Sequence, residues 1–196
     1  MRRKTFDALL TTGGLLIAAV LLVAGGLLTW AHSFVDNQVH SQLAQQQIFF
    51  PPAGNQALAD PQIQPYLEKY AGQQLTNGEQ AGAYANHFIR VHLEKIGGGQ
   101  TYAQLSATAN ADPTNTKLAD QVQTMFRGET LRGLLLNAYA FWKMAEIAMI
   151  AAIAAFIGAG VLLLLAAFGY LHLRRVDPAA EVLPKLGART PAPVEL

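Results

Sequence analysis

The chain has 196 residues, 52% hydrophobic and only 14% charged, about half the charge content of an ordinary soluble domain. Fourteen Lys and Arg against 13 Asp and Glu leave a net charge of +1, so no basic field exists to hold nucleic acid by counterion release. Cysteine is absent, which excludes disulfide frameworks, thiolate metal sites and Cys nucleophiles.

From Leu9 to Leu28 the chain reads LLTTGGLLIAAVLLVAGGLL, 20 residues without a charge. As a helix this stretch is about 30 Å long, one hydrocarbon thickness. It places a first transmembrane helix at 9–31, behind a cytoplasmic N-terminus at 1–8. A lipid-embedded backbone must satisfy its own hydrogen bonds, which makes the span helical. Arg2, Arg3 and Lys4 hold the N-terminus inside by the positive-inside bias, and Trp30 marks the opposite interface. The rival reading is a cleaved signal peptide, with Thr29-Trp30-Ala31 as a loose cleavage site. The apolar run exceeds the roughly 7–15 residues of a signal h-region, which favours an uncleaved signal anchor.

An extracytoplasmic segment at 32–143 follows, and its apolar residues recur at helical rather than alternating spacing. His32 to Gln47 continues the first helix, with Val35, Val39 and Leu43 four apart. Pro51 and Pro52 stop it, because they donate no N–H and restrict the residue before them. Asp60-Pro61 predicts a helix start, with Ile63, Tyr66, Leu67 and Tyr70 on the helix and its end near Gly72. Thr76 or Asn77 caps the next helix, whose stripe is Ala81, Ala85, Phe88, Ile89, Leu93 and Ile96. Gly97-Gly98-Gly99 ends it, as glycine commonly does after a last helical turn. Thr101 with Gln104 forms a capping box for a short helix to about Ala109.

Asp112-Pro113 predicts one more start. Leu118, Val122, Met125, Leu134, Leu135, Ala138 and Phe141 carry the period onward into a second apolar run, Ile147 to Leu173. That places a second transmembrane helix at 144–173, continuous with a long outer helix from about Thr114. Gly128 and Gly133 each cost roughly 1 kcal/mol against alanine, which makes a bend there conceivable. Trp142 and the Arg174-Arg175 pair set this span's outer and inner ends, so both termini fall in the cytoplasm. The remainder, 174–196, has four prolines and no apolar period and reads as a disordered tail. The fold class is all-α, with two transmembrane helices flanking an extracytoplasmic helical bundle.

Over residues 1 to about 175 the chain resembles a set of two-pass membrane proteins of Actinobacteria. The resemblance rests on Ile48-Phe49-Phe50-Pro51-Pro52, Tyr70-Ala71-Gly72-Gln73-Gln74-Leu75, Val91-His92-Leu93, Gly97-Gly98-Gly99 leading to Thr101-Tyr102, and the block from Gly128 to Trp142. The set has no known activity, so it implies no functional residue.

No chemistry gathers in the sequence. The triple glycine follows a helix and has Gln100 where a phosphate loop needs lysine. His87 and His92 lie five apart, on different faces of an α-helix, and neither has a carboxylate at zinc spacing. The outer acids Glu68, Glu79, Glu94, Asp112, Asp120 and Glu129 stand singly among lysines and arginines, the pattern of a solvated face. Glu146 lies one turn beyond Trp142, near Lys143, where an interfacial anchor is expected rather than a buried functional acid. No cofactor and no enzymatic activity are expected.

Two features point to contacts instead. Gly14, Ala18 and Gly25 on the first span, and Ala148, Ala152, Ala155 and Ala159 on the second, recur at helical spacing, which lets helix backbones approach closely in lipid, within or between chains. In an alanine-rich chain composition alone gives similar recurrences. Ile48-Phe49-Phe50 stands at the end of a 16-residue helix, about 24 Å beyond the span; it reads as bundle core or as a partner contact, and large apolar residues favour the core. Tyr66, Tyr70, Tyr84 and Phe88 read as core before a ligand box. The expected partners are the lipid bilayer and another membrane or envelope protein, or a second copy of the chain. The leading reading is a non-catalytic interaction, scaffold or accessory subunit of an envelope complex. The alternative is a ligand-sensing outer domain that signals through a separate partner.

Overall fold

A computed structural model describes residues 2–177; most of the expected tail, from residue 178 on, lies outside the described residues. The chain is helical, with α1 (Arg3–Gln45), α2 (Gln64–Leu67), α3 (Gly78–Ala83), α4 (Arg90–Ile96), α5 (Tyr102–Ala111) and α6 (Thr116–Leu173). A π-helical stretch, Tyr84–Ile89, joins α3 to α4 without a break, and 3₁₀ turns occupy Gln56–Leu58 and Glu68–Tyr70. Helices α1 and α6, 43 and 58 residues long, are each long and apolar enough to cross a membrane. Two compact units result: one from the segment up to Leu28 with that from Ile150 onward, the other from Thr29–Met149.

In the first unit α1 and α6 pack in opposite directions. A Cβ on Gly25 would stand 2.9 Å from the Phe156 ring, one on Gly158 3.3 Å from Leu21, and one on Gly169 2.6 Å from Thr11 Oγ1. Asp7 Oδ2 lies 3.9 Å from His172 Nε2 at one end of this pairing. Large side chains such as Leu16, Val20, Ile150 and Ile157 point away from the contact and are exposed.

The second unit folds around the rod formed by α3, the π stretch and α4. Asn77 and Gln80 build a capping box at its start, satisfying N–H groups that lack helical partners. The triple glycine closes its end: Gly99 N–H donates to Glu94 C=O at 2.9 Å, with Gly98 and Gly99 at φ 59° and 81°, conformations that glycine adopts without a Cβ penalty. One face of the rod meets α6. A Cβ on Gly78 would fall 2.2 Å from Trp142 Cβ, one on Gly82 2.8 Å from the Tyr139 ring, and Leu93 fills the space over Gly128. The core gathers Val39 and Leu43 of α1, Phe50 and Leu75 of the connecting segments, Leu67 of α2, Ala81, Ile89 and Leu93 of the rod, and Met125 and Leu135 of α6.

Several local expectations shift. Asp60 caps a turn, its Oδ1 accepting from Gln62 N–H at 2.8 Å. Helix α2 is only four residues long with an uncapped start and passes into a 3₁₀ turn. Pro65 near its first position fixes φ but donates no N–H. Asn115, not Asp112, caps α6, accepting from Leu118 N–H at 3.0 Å, and α6 runs through Gly128 and Gly133 as one helix. The end of α1 is held by Gln47 at φ 51° and by Gln74 Nε2, which donates to Ala44 C=O at 2.8 Å. Past it, residues 48–51 and 72–75 run antiparallel: Phe50 N–H donates to Gln73 C=O and Leu75 N–H to Ile48 C=O, at 2.9 and 2.8 Å.

Close approach and helix propensity make opposite forecasts at two glycines. Gly78→Ala drives a methyl into the base of Trp142 and should cost about 1–3 kcal/mol. Gly133→Ala adds a methyl in open space on a helix and should gain about 0.5–1 kcal/mol. Thermal unfolding of the full chain in detergent micelles, followed by circular dichroism, should show midpoints moving in opposite directions.

Candidate functional site

Two concave sites lie within the Thr29–Met149 unit. The larger is an apolar groove of about 550 Å³ between the C-terminal part of α1 and α6. Phe34, Val35, Val39, Leu43 and Ile48 form one wall, with Gln38, Gln42 and Gln46 four residues apart along it. Leu131, Leu134, Leu135, Asn137, Ala138 and Phe141 form the other. Among the described residues no charged side chain lines it. Phe34, Leu134 and Phe141 are more than half exposed, so the groove presents large apolar side chains together on one surface.

The second is a cleft of about 390 Å³ with the opposite chemistry. Pro65, Tyr66, Lys69 and Tyr70 come from α2 and the 3₁₀ turn after it; Glu79, Gly82 and Ala83 come from α3; Asn86 and His87 come from the π stretch; Tyr139 comes from α6. Glu79 Oε1 accepts from Lys69 Nζ at 2.8 Å and from Tyr70 OH at 2.7 Å. The hydrogen bond from Lys69, seconded by that from Tyr70, holds the Glu79 carboxyl below the usual carboxylate range. The same contact raises the Lys69 ammonium above its ordinary value, so the pair stays ionised at neutral pH. The Lys69 ammonium also lies over the Tyr70 ring, 4.6 Å from its centroid.

Tyr66 stacks on His87 with ring centroids 3.5 Å apart and planes 9° from parallel. His87 Nδ1 is shielded from solvent and finds no hydrogen-bond partner among the described residues. Burial, with the nearby Arg90 guanidinium, keeps the His87 imidazole below its ordinary 6.5. Burial likewise raises the Tyr70 and Tyr84 phenols. π-helical turns occur often at functional sites, and this one carries both Asn86 and His87.

The aromatic segment after α1 is split by its extended geometry. Phe50, 2% exposed, enters the core against Tyr70 and Tyr84, at centroid distances of 5.1 and 5.3 Å. Ile48 lines the groove, and Phe49, 58% exposed, points outward. Among the small residues singled out, Ala18, Gly25, Ala152 and Ala159 are buried, and Gly14, Ala148 and Ala155 are half-buried. Sequence reasoning passed over Ala145 and Ala166, also buried, although Ala145, Ala152, Ala159 and Ala166 recur every seven residues. Tyr66, expected in the core, is 47% exposed. The Lys69–Glu79 pair spans ten residues across two elements, a contact that no local spacing rule reaches.

Other polar side chains tie neighbouring parts of the unit together. His32 Nδ1 donates to Ala145 C=O at 2.9 Å, and His92 Nδ1 to Phe88 C=O at 2.7 Å. Lys95 pairs with Asp60, tying the end of the rod to the turn before α2. Lys143 lies over the Trp142 ring, 5.6 Å from its centroid. Among the described residues no three His, Asp or Glu side chains come together as metal ligands. No protein-family model, no curated protein and no solved structure matches this chain.

The depressed His87 imidazole has a consequence for stability. Unfolded, it takes up a proton near its ordinary value; folded, only at lower pH, so acid favours the unfolded chain. The unfolding midpoint should fall as pH drops from about 7 to about 5.5, the window just around and below the ordinary imidazole value. His87→Phe keeps a ring against Tyr66 and removes the titration, so it should flatten that slope; an unchanged slope would assign the loss to other groups.

Proposed function

We propose that the chain is a two-pass protein of the cell envelope, with both termini in the cytoplasm and residues 32–143 outside. In this reading it is a non-catalytic accessory subunit that binds another membrane or envelope protein through its outer helical domain. The apolar groove carries the proposal. A trough between two helices, uncharged and edged by Gln38, Gln42 and Gln46, suits a third helix with an apolar face, read at one-turn intervals. The amide row supplies donors and acceptors that orient such a helix without requiring a charge on it. The exposed apolar sheath around both long helices supports the bilayer as the surrounding solvent, since helices satisfy their backbones internally. The basic residues at 2–4 and 174–175 and the tryptophans at 30 and 142 support the orientation.

The cleft favours a second reading, a ligand-sensing outer domain. Its polar lining and stacked rings are of a kind that holds a small molecule.

Topology and partner binding are tested separately. Because the chain has no cysteine, Gln73→Cys introduces a single thiol at an exposed position. An impermeant maleimide should label it in intact cells; labelling only after lysis would reverse the topology. Leu134, 62% exposed in the groove, can be changed to Glu with little effect on folding. Leu134→Glu should reduce recovery of the protein cross-linked to the wild-type chain in native membranes at least tenfold. Undiminished recovery with this variant would place the contact elsewhere, and cross-links only between copies of this chain would make the occupant a second copy.

A further inference from the structure

The cleft beside α3 brings together residues that the apolar groove does not use. Three tyrosines, 66, 70 and 139, line it together with one carboxylate, Glu79. The Lys69 ammonium already sits against this set, 2.8 Å from Glu79 Oε1 and 4.6 Å from the Tyr70 ring centroid. A carboxylate and aromatic faces around one point form the environment that binds an ammonium group, through charge and through the ring quadrupole. Lys69 is a loosely held occupant. Its side chain is 59% exposed, and that of Glu79 56%, so their ion pair is solvated and contributes little, while holding it costs the rotamer freedom of a long side chain.

Among the described residues Lys69 is the one positive charge in the lining. With its head group swung into solvent, the cleft presents the Glu79 carboxylate, the phenol rings, the Asn86 amide and the His87 imidazole. His87 adds no competing charge at neutral pH, because burial and Arg90 keep it deprotonated. An anion would meet Glu79 and the negative ring faces; a neutral molecule would gain only stacking. A cation gains both.

We propose that this cleft is a binding site for a small organic ammonium ion, a primary amine or quaternary ammonium, and that Lys69 is the resident cation such a ligand displaces. The ligand's ammonium takes the position between Glu79 and the Tyr70 ring, and its apolar body rests along Tyr66 and Tyr139. The inference stands apart from the groove and from partner binding, and fails or holds without them.

Calorimetric titration of the purified full chain in detergent micelles tests it, with butylammonium and tetramethylammonium as probes, tert-butyl alcohol as a neutral control, and constant ionic strength. Both cations should bind in the millimolar range and the alcohol should not. Lys69→Ala removes the competitor and should tighten binding roughly five- to tenfold, as expected for releasing one exposed ion pair with a cation–π contact. Glu79→Gln keeps the shape of the side chain and should weaken binding at least tenfold, its folding checked by circular dichroism. The Lys69→Ala arm forecasts a gain, which misfolding cannot imitate. Cations that bind the wild type and Lys69→Ala equally, or no better than the alcohol, or that bind neither protein, would overturn the proposal.

Discussion

How closely two helices approach depends on what stands between their backbones, and in this protein the contacts repeatedly set a ring or a branched side chain over a glycine. Phe156 lies over Gly25, Trp142 over Gly78, Tyr139 over Gly82, and Leu93 over Gly128. The glycine contributes almost no buried area itself. Its value lies in letting the facing side chain reach backbone atoms, where many short dispersion contacts accumulate at interior packing density. The same principle works in both units. In the second unit apolar burial rewards the contact directly; between the two helices of the first unit, long and apolar enough to cross a membrane, shape and close approach carry the contact. The fully buried alanines of α6 fall seven residues apart, the period that keeps one helix face turned toward its neighbour over several turns.

Where sequence and structure agree, the signal was local. The cap at Asn77, the capping box at Thr101 and the triple-glycine stop each follow from residues within one or two turns of one another, and the two long apolar helices from unbroken apolar runs. Asp60-Pro61 misled because a cap, a proline and the helical spacing of Ile63, Tyr66, Leu67 and Tyr70 license a helix start without securing its length. After Pro65 only Tyr66, Leu67 and Tyr70 remain before Gly72, too few turns to outlast the cost of nucleation. The extended pairing of residues 48–51 with 72–75 was also illegible, since a contact between segments more than twenty residues apart leaves no periodicity. It decides the fate of the aromatic pair: extended backbone sends neighbouring side chains to opposite sides, so Phe50 is interior and Phe49 is not. Adjacent in sequence and identical in chemistry, the two phenylalanines serve different surroundings, and no single assignment covers both.

The two candidate sites show different degrees of legibility for the same reason. The groove walls, Val35, Val39 and Leu43 on α1 and Leu134, Ala138 and Phe141 on α6, were visible as helical stripes. That the stripes leave a trough, instead of closing on each other, depends on how two helices separated by 90 residues meet. The cleft was invisible in sequence. Lys69 and Glu79 each looked like one member of a solvated charge pattern, and Tyr66 looked like core, because nothing local distinguishes a tyrosine that packs from one that stacks on a histidine at a cleft wall. The π stretch compounds this, since its extra residue per turn breaks the angular bookkeeping that assigns faces by 3.6-residue steps.

Helix α6 brings the two sites within one turn. Asn137, Ala138 and Phe141 line the groove, while Tyr139 lines the cleft and is wedged against Gly82 of α3. The proposed partner groove and the cleft thus do not compete for the same surface. They occupy opposite sides of the same helical turn. Proximity alone does not couple them; a cleft ligand affects a groove partner only if it favours one of two arrangements of that turn, by a difference in affinity. Tyr139 is where such a difference would arise. Its ring packs against Gly82 of α3 and lines the cleft, while Ala138 and Phe141 on the same turn line the groove, so a ligand resting on that ring would bear on the turn that carries the far wall of the groove.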